Sequence, residues 1–328
     1  MKLAQLFTDH MILQAEKPVR FFGEGKGTVE IYIDGKEYKN SFNQETWDME
    51  LPPHAYGGPF DIQIRLDGEE TVLKDVLFGD VFLCAGQSNM QFLVKEEKEK
   101  RIESYYPRLR YYVSDRIENH DGLKSKDGWQ VGEKESVGKW SALGFHVAEK
   151  YAARKGVPVG AIGCFQGASV IRSWMPAREL DESVFVPLEK RHVDSTAEVW
   201  SEWNGDCQLY ERTFSPLIPF SLKGVIWYQG ESDTTVDEGK VYTRLLEKLI
   251  KAWREDLKDE DLPFVIVQIC DFDPRNDEGW RAIQNCQQEV GERVKNVTTV
   301  TSKDVCEHFD IHPNDKEKLA EKIVRILK

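Results

Sequence analysis

A hydroxyl that could act as a nucleophile stands at Ser88, within Gly79-Asp-Val-Phe-Leu-Cys-Ala-Gly-Gln-Ser-Asn-Met90. The apolar run Val81 to Ala85 reads as a strand, Gly86 as a tight turn and Ser88 as a helix start. Open α/β sheets bind ligands at the carboxyl edge of their strands, where such a serine would sit. The first amides of the helix would face an oxyanion formed there. Met90 stands where Gly-x-Ser-x-Gly ends in glycine, so the usual nucleophile elbow is not the pattern. A serine needs a base, and His308-Phe-Asp-Ile-His-Pro-Asn-Asp315 offers His312. In an extended segment Asp310 and His312 point the same way, with Cα atoms about 6.5 Å apart. The Asp310 carboxylate would then hold Nδ1 and leave Nε2 for Ser88, a triad in the chain order Ser, Asp, His. The plainer alternative is a helix cap beside a surface histidine.

Two middle segments strengthen the catalytic reading. Val159-Gly-Ala-Ile-Gly-Cys-Phe-Gln-Gly-Ala-Ser-Val-Ile-Arg-Ser-Trp174 runs from a buried strand into a glycine turn. Lys223-Gly-Val-Ile-Trp-Tyr-Gln-Gly-Glu-Ser-Asp233 does the same. Both should deliver donors to one sheet edge. Acyl transfer needs donors aimed at the developing oxyanion, each worth roughly 3 kcal/mol. The candidates are the backbone amides of Ser88 and Gly167 and the side chain of Gln229.

These blocks, in this order and spacing, resemble the sialate O-acetylesterase branch of the SGNH hydrolase superfamily. Gly-Gln-Ser-Asn-Met, Trp-Tyr-Gln-Gly-Glu-Ser and Asp-Ile-His-Pro carry the likeness. Lesser matches lie at Leu6 to Gln14, Pro216 to Pro219 and Leu262 to Gln268, with a poorly matched stretch from about Lys95 to Ser136. The resemblance implies serine-dependent removal of O-acetyl groups from carbohydrates, with no metal and no other cofactor. It implies Ser88 as nucleophile, His312 as base and acid, and Gly167 as a second oxyanion amide. The chain departs from the superfamily in two places. Gln229-Gly-Glu231 stands where many members have an asparagine motif, which makes Gln229 the third donor. The usual aspartate lies three residues before the histidine, but position 309 is Phe. Asp310 is the nearest substitute, and a Ser–His dyad oriented by a backbone carbonyl is the alternative. Asp233 also replaces an asparagine common in this branch.

The elements that must position these residues divide unevenly. Residues 1–78 carry short alternating strands with Gly and Pro stops, which predict a small β-sandwich or jelly roll. Residues 79–328 alternate strands near 81, 110, 159, 225, 265 and 298 with helices near 141–155, 237–255, 280–293 and 315–328. Such alternation predicts an α/β fold with a doubly wound parallel sheet. The resemblance implies the SGNH-type, flavodoxin-like three-layer version, with the same β module ahead of it. Lys95 to Arg101 reads as a solvated helix face.

The formal net charge of −13 argues against nucleic acid or an anionic membrane surface as partner. No run of about 18 apolar residues predicts a membrane span. The first residues lack the apolar core of a signal peptide, which points to a cytoplasmic location. None of the six cysteines forms a Cys-x-x-Cys pair, so structural zinc is not expected. Cys84, Cys164 and Cys270 read as buried free thiols. The other histidines, His10, His54, His120, His146, His192 and His308, have no partner pattern.

The expected partner is an acetylated carbohydrate. Trp129, Trp174, Trp200, Trp203, Trp227 and Tyr228 are candidates to stack on sugar rings, with Trp174 and Trp203 the best placed. Arg172 could grip a substrate carboxylate or pair with Glu231. Glu231 and Gln87 are read as support for the oxyanion loop and the nucleophile turn. Two rival readings are a xylan or mannan-oligosaccharide acetylesterase, and a non-catalytic glycan-binding protein on the same scaffold.

Overall fold

The element that organises the molecule is one long strand. In the computed structural model, which describes residues 1–98, 102, 105–117, 122–191 and 203–328, Glu69–Gly86 runs unbroken for 18 residues. Seven strands precede it: β1 (Lys2–Leu3), β2 (Ile12–Gln14), β3 (Val19–Glu24), β4 (Gly27–Ile33), β5 (Lys36–Phe42), β6 (Thr46–Leu51) and β7 (Gly57–Leu66). The long strand is β8. After it come α1 (Ser88–Gln91), β9 (Tyr105–Val113), β10 (Gln130–Glu133), α2 (Lys134–Val137), α3 (Ala142–Lys155) and β11 (Val159–Phe165). The chain continues through β12 (Gly224–Tyr228), α4 (Val236–Asp256), β13 (Phe264–Gln268), α5 (Glu278–Arg293), β14 (Val297–Thr301) and α6 (Lys316–Ile326).

The first half of β8 pairs with β7 and β2, and its second half lies between β11 and β12. The boundary expected after residue 78 therefore falls inside a strand. The physical reason is the stretch Val76 to Ala85, apolar but for Asp80 and buried throughout. Gly79 does not break it; a Cβ there would lie 2.3 Å from the Pro158 carbonyl oxygen, so glycine serves close approach and not a turn. The N-terminal strands split between a three-stranded sheet, β1-β3-β6, and a β5-β4-β7 ladder that joins the 11-stranded sheet through β8. One apolar core runs through both regions, from Phe7, Phe21 and Trp47 to Leu83 and Trp253.

In the larger sheet β9, β11, β8, β12, β13 and β14 lie side by side and parallel, with β10 antiparallel at the edge. Helix α3 packs on α6, and α4 packs on α5. Caps set the helix starts. Ser141 accepts from the Gly144 amide, Asp277 from Trp280 and Asp315 from Lys318, and Thr235 with Glu238 forms a capping box. The charged run from Lys95 is not a solvated helix face where it is described. Val94–Glu96 is a single 3₁₀ turn, and Glu97 is buried against His146, with oxygens 3.0 and 3.1 Å from Nε2. Residues 99–101 of that run lie outside the described residues.

Gly86 sits at the end of β8 with φ +139°, and a Cβ there would lie 2.0 Å from the Tyr228 carbonyl oxygen. Gly86→Ala should therefore destabilise the fold by at least ~2 kcal/mol, through backbone strain and separation of β8 from β12. Urea unfolding measures this, and an unchanged midpoint would show that the strand ends yield freely.

Candidate active site

The carboxyl ends of β8, β11 and β12 meet at one edge. The Gln166 amide donates to the Gly86 carbonyl at 3.0 Å, and the Gln87 amide to the Tyr228 carbonyl at 3.0 Å. The chain is thus held by both neighbours before it turns, and α1 begins at Ser88. As the first helical residue, Ser88 has no intrahelical acceptor for its N–H. The short helix is fixed at its far end too. Ser141 Oγ donates to the Met90 carbonyl at 2.6 Å, and the Ala142 amide to the Phe92 carbonyl at 2.7 Å.

Gly167 lies beside this turn; a Cβ on it would be 3.7 Å from Ser88 Cβ. Its amide donates to Gln91 Oε1 at 2.8 Å. An amide carbonyl oxygen from the protein therefore meets the donor expected to serve an oxyanion.

The histidine loop reaches the same place from the other end of the chain. Asn89 Nδ2 donates to the Ile311 carbonyl at 2.9 Å and to Glu231 Oε1 at 2.6 Å. The neighbour of Ser88 is thus bonded to the neighbour of His312. Lys98 N–H adds a second tie, to Asn314 Oδ1 at 2.9 Å. Ser88 and His312 are both half-buried, and among the described residues no hydrogen bond joins the hydroxyl to the ring.

Asp310 does not act as the extended-chain reading expected. Its Oδ1 accepts from the His312 backbone N–H at 2.9 Å. This is an Asx turn, in which a short carboxylate reaches the amide two residues on. The loop is turned, so the two side chains are not held parallel. Burial, then the Lys316 charge, lowers the His312 pKa, opposed by Asp310 and Glu96.

Gln229 is fully buried and its amide is committed elsewhere. Nε2 donates to the Ser169 carbonyl at 2.9 Å and to Asp233 Oδ2 at 2.5 Å, while Oε1 accepts from Tyr242 at 2.8 Å. Both N–H groups are taken, so it offers no donor to an oxyanion in this arrangement. Burial and then Glu238 push the Asp233 carboxyl well above the usual range. Gln87 supports the turn as expected, accepting from the Gly230 amide at 3.1 Å and facing Ser232 Oγ at 3.3 Å. Glu231 is buried against Asn89, and burial raises its pKa.

Arg172 does not pair with Glu231. It makes a bidentate pair with Asp206, at 3.0 and 2.7 Å, and donates to the Val184 carbonyl at 2.8 Å. Trp129, Trp174, Trp203, Trp227 and Tyr228 are all buried, so none of them presents a face to a sugar. Trp174 Nε1 donates to Ser169 Oγ at 2.9 Å, a scaffolding role. Trp200, His120 and His192 lie outside the described residues. Cys84, Cys164 and Cys270 are buried free thiols. Among the described residues no cluster of His, Cys, Asp and Glu is placed to hold a metal, and no helix is long and apolar enough to cross a membrane.

Three residues of the site were not singled out in the sequence: Asn89, Gln91 and Lys316. Lys316 Nζ donates to Asn89 Oδ1 at 2.7 Å, and burial lowers its pKa to about 8. A signal existed. Lysine at the first position of a helix opposes the helix dipole, a local violation that marks a special environment.

A serine turn and a histidine loop are thus tied together at the carboxyl edge of a parallel sheet. A family model described as carbohydrate esterase, sialic acid-specific acetylesterase, matches residues 78–323, and the chain belongs to that family. It is a carboxylic ester hydrolase of the carbohydrate acetylesterase class, not a bare glycan binder. Human sialate O-acetylesterase is 26% identical over 97% of this chain and 69% of its own length. The mouse protein of the same name is 26% identical over 97% of this chain and 71% of its own. The solved structure of a carbohydrate acetylesterase from Xanthomonas citri superposes with a TM-score of 0.83 at 26% identity, covering 98% of this chain and 72% of that one.

Asp310→Asn keeps an oxygen for the His312 amide and removes only the charge. The expected kcat loss is below about tenfold, far short of the ~10⁴ seen when an orienting aspartate is lost. Steady-state ester hydrolysis reads this directly, and a loss near the larger figure would restore the triad.

Proposed function

We propose that this chain removes O-acetyl groups from a sugar by a serine mechanism, with Ser88 as nucleophile and His312 as general base and acid. We read the six parallel strands and their helices as a doubly wound, SGNH-type catalytic layer, with residues 1–78 as its β module. The observation that carries the proposal is the Asn89–Ile311 bond, which brings the serine turn and the histidine loop to one place. Ser88 attacks the acetyl carbonyl while His312 accepts its proton. The Ser88 and Gly167 amides receive the oxyanion. The acetyl oxygen takes the place on the Gly167 amide where Gln91 Oε1 accepts. The tetrahedral adduct collapses, the sugar oxygen leaves with the proton from His312, and acetyl-Ser88 remains. Water, deprotonated by His312, attacks this ester and releases acetate. An alkoxide leaves more readily than an amine anion, which suits a half-open site.

O-acetylated sialic acid is the substrate we favour, because the matching family is described by that specificity. With Arg172 engaged by Asp206, it is not the group that would read the sialic carboxylate. Acetate release from 9-O-acetyl sialic acid, acetylated xylo-oligosaccharides and acetylated manno-oligosaccharides ranks the substrates. A preference for either plant oligosaccharide would overturn the sialate assignment.

Ser88→Ala should lower kcat on 4-nitrophenyl acetate by several orders of magnitude. Survival of that activity would remove Ser88 from the mechanism. Because the His312 pKa lies below its ordinary 6.5, the neutral base persists into mildly acid solution. In the wild type, kcat/KM should rise with pH through one ionisation below 6.5.

A further inference from the structure

We propose that Lys316 is a positioning residue for this reaction: its buried ammonium locks Asn89, clamps the serine turn to the histidine loop, and holds a positive charge against the imidazole. The inference rests on the Ser88–His312 reading and adds a residue to it. Lys316 is only 1% exposed and is the first residue of α6. A helix start disfavours a cation, and burying an ammonium is costly without close partners. Lys316 has such partners. Nζ donates to Asn89 Oδ1 at 2.7 Å and lies 5.2 and 5.5 Å from the ring centroids of Phe92 and Tyr228.

The consequence falls on the Asn89 amide. An ammonium has only donors, so the amide must turn its oxygen toward Lys316. Nδ2 is then aimed at the Ile311 carbonyl and at Glu231, where both partners accept. Flipped, the amide would set oxygen against a carbonyl and a carboxylate. Lys316 thus selects the one orientation that joins residue 89 to residue 311. Asn89 and Lys316 are 0% and 1% exposed, so water does not replace either contact cheaply.

Charge is the second arm. Around Lys316 stand Glu231 from the turn after β12, Cys270 after β13, Cys306 from the loop after β14, and Glu97 beyond α1. Around His312 stand Lys316, Asp310 and Glu96. Of these three, only Lys316 disfavours the imidazolium, and so keeps the ring available as a base.

The test uses the full chain and 4-nitrophenyl acetate, with kcat and KM measured against pH. Lys316→Met should lower kcat at least ~10-fold with KM within ~3-fold. Its acid limb should move up by ~1 pH unit, the scale of one lost unit charge at close range. Lys316→Arg should return the acid limb to the wild-type position. Asn89→Ser removes the donor to Ile311 but leaves the charge, so kcat should fall with the acid limb unmoved; this variant also serves where Lys316→Met does not fold. A folded Lys316→Met with kcat within twofold of wild type, or with an unmoved acid limb, overturns the proposal, as does an Asn89→Ser enzyme with wild-type kcat. Ser88→Ala run beside them separates the two readings: its activity, if retained, sinks the nucleophile assignment and not the clamp alone.

Discussion

One buried amide joins the two ends of the catalytic domain. Asn89 Nδ2 lies 2.9 Å from the Ile311 carbonyl, across a sequence separation of 222 residues. A fully buried amide must find partners or its desolvation goes uncompensated. Asn89 finds three, on the turn after β12, on the histidine loop and on α6. These elements can be displaced from one another only by leaving that amide unsatisfied. The serine turn and the histidine loop are therefore joined by a buried polar network. Ser88 and His312 stay half-exposed above it, which leaves them accessible to an ester.

The same principle explains why several promising side chains proved to be scaffold. Gln229, Arg172 and Trp174 all lie close to the catalytic blocks in sequence, and all carry groups that sugars like to meet. Each instead satisfies a neighbour: Gln229 with Ser169, Asp233 and Tyr242, Arg172 with Asp206 and Val184, Trp174 with Ser169. Loops that leave a sheet edge and fold back over it bury backbone carbonyls, and side-chain donors nearby are drawn to them. Proximity in sequence to a nucleophile is weak guidance to what faces the substrate.

What the sequence disclosed follows the range of the forces involved. Helix positions were legible because burial imposes a period of 3.6 residues, and the central strands because burial on both faces leaves short continuous apolar runs. Helices α3 to α6 lie close to where their patterns placed them. The turn that carries Ser88 was legible because strand, glycine and helix start leave a local imprint. The continuity of β8 was not, since Gly79 looks like a break until Pro158 is seen against it. Asp310 was misread because the same Asp-x-His spacing fits both an extended pair and an Asx turn. Asn89 and Lys316 were missed because their meanings lie in each other, and nothing in either's neighbours names a partner so far along the chain.

In the proposed mechanism the Gly167 donor must exchange one oxygen partner for another. Gly167 N–H is already bonded to a carbonyl oxygen, that of Gln91, 2.8 Å away. A backbone donor at a water-lined edge would otherwise hold solvent, and an ester oxygen would have to displace it. Here the exchange is one carbonyl oxygen for another, so the ground-state ester gains little from the donor. The balance changes when the carbonyl becomes an oxyanion. A hydrogen bond to a charged acceptor is roughly twice as strong as one to a neutral acceptor, and Gln91 cannot match it. In the proposed mechanism such an exchange favours the transition state over the bound substrate, which is the condition for a donor to raise kcat and not merely affinity.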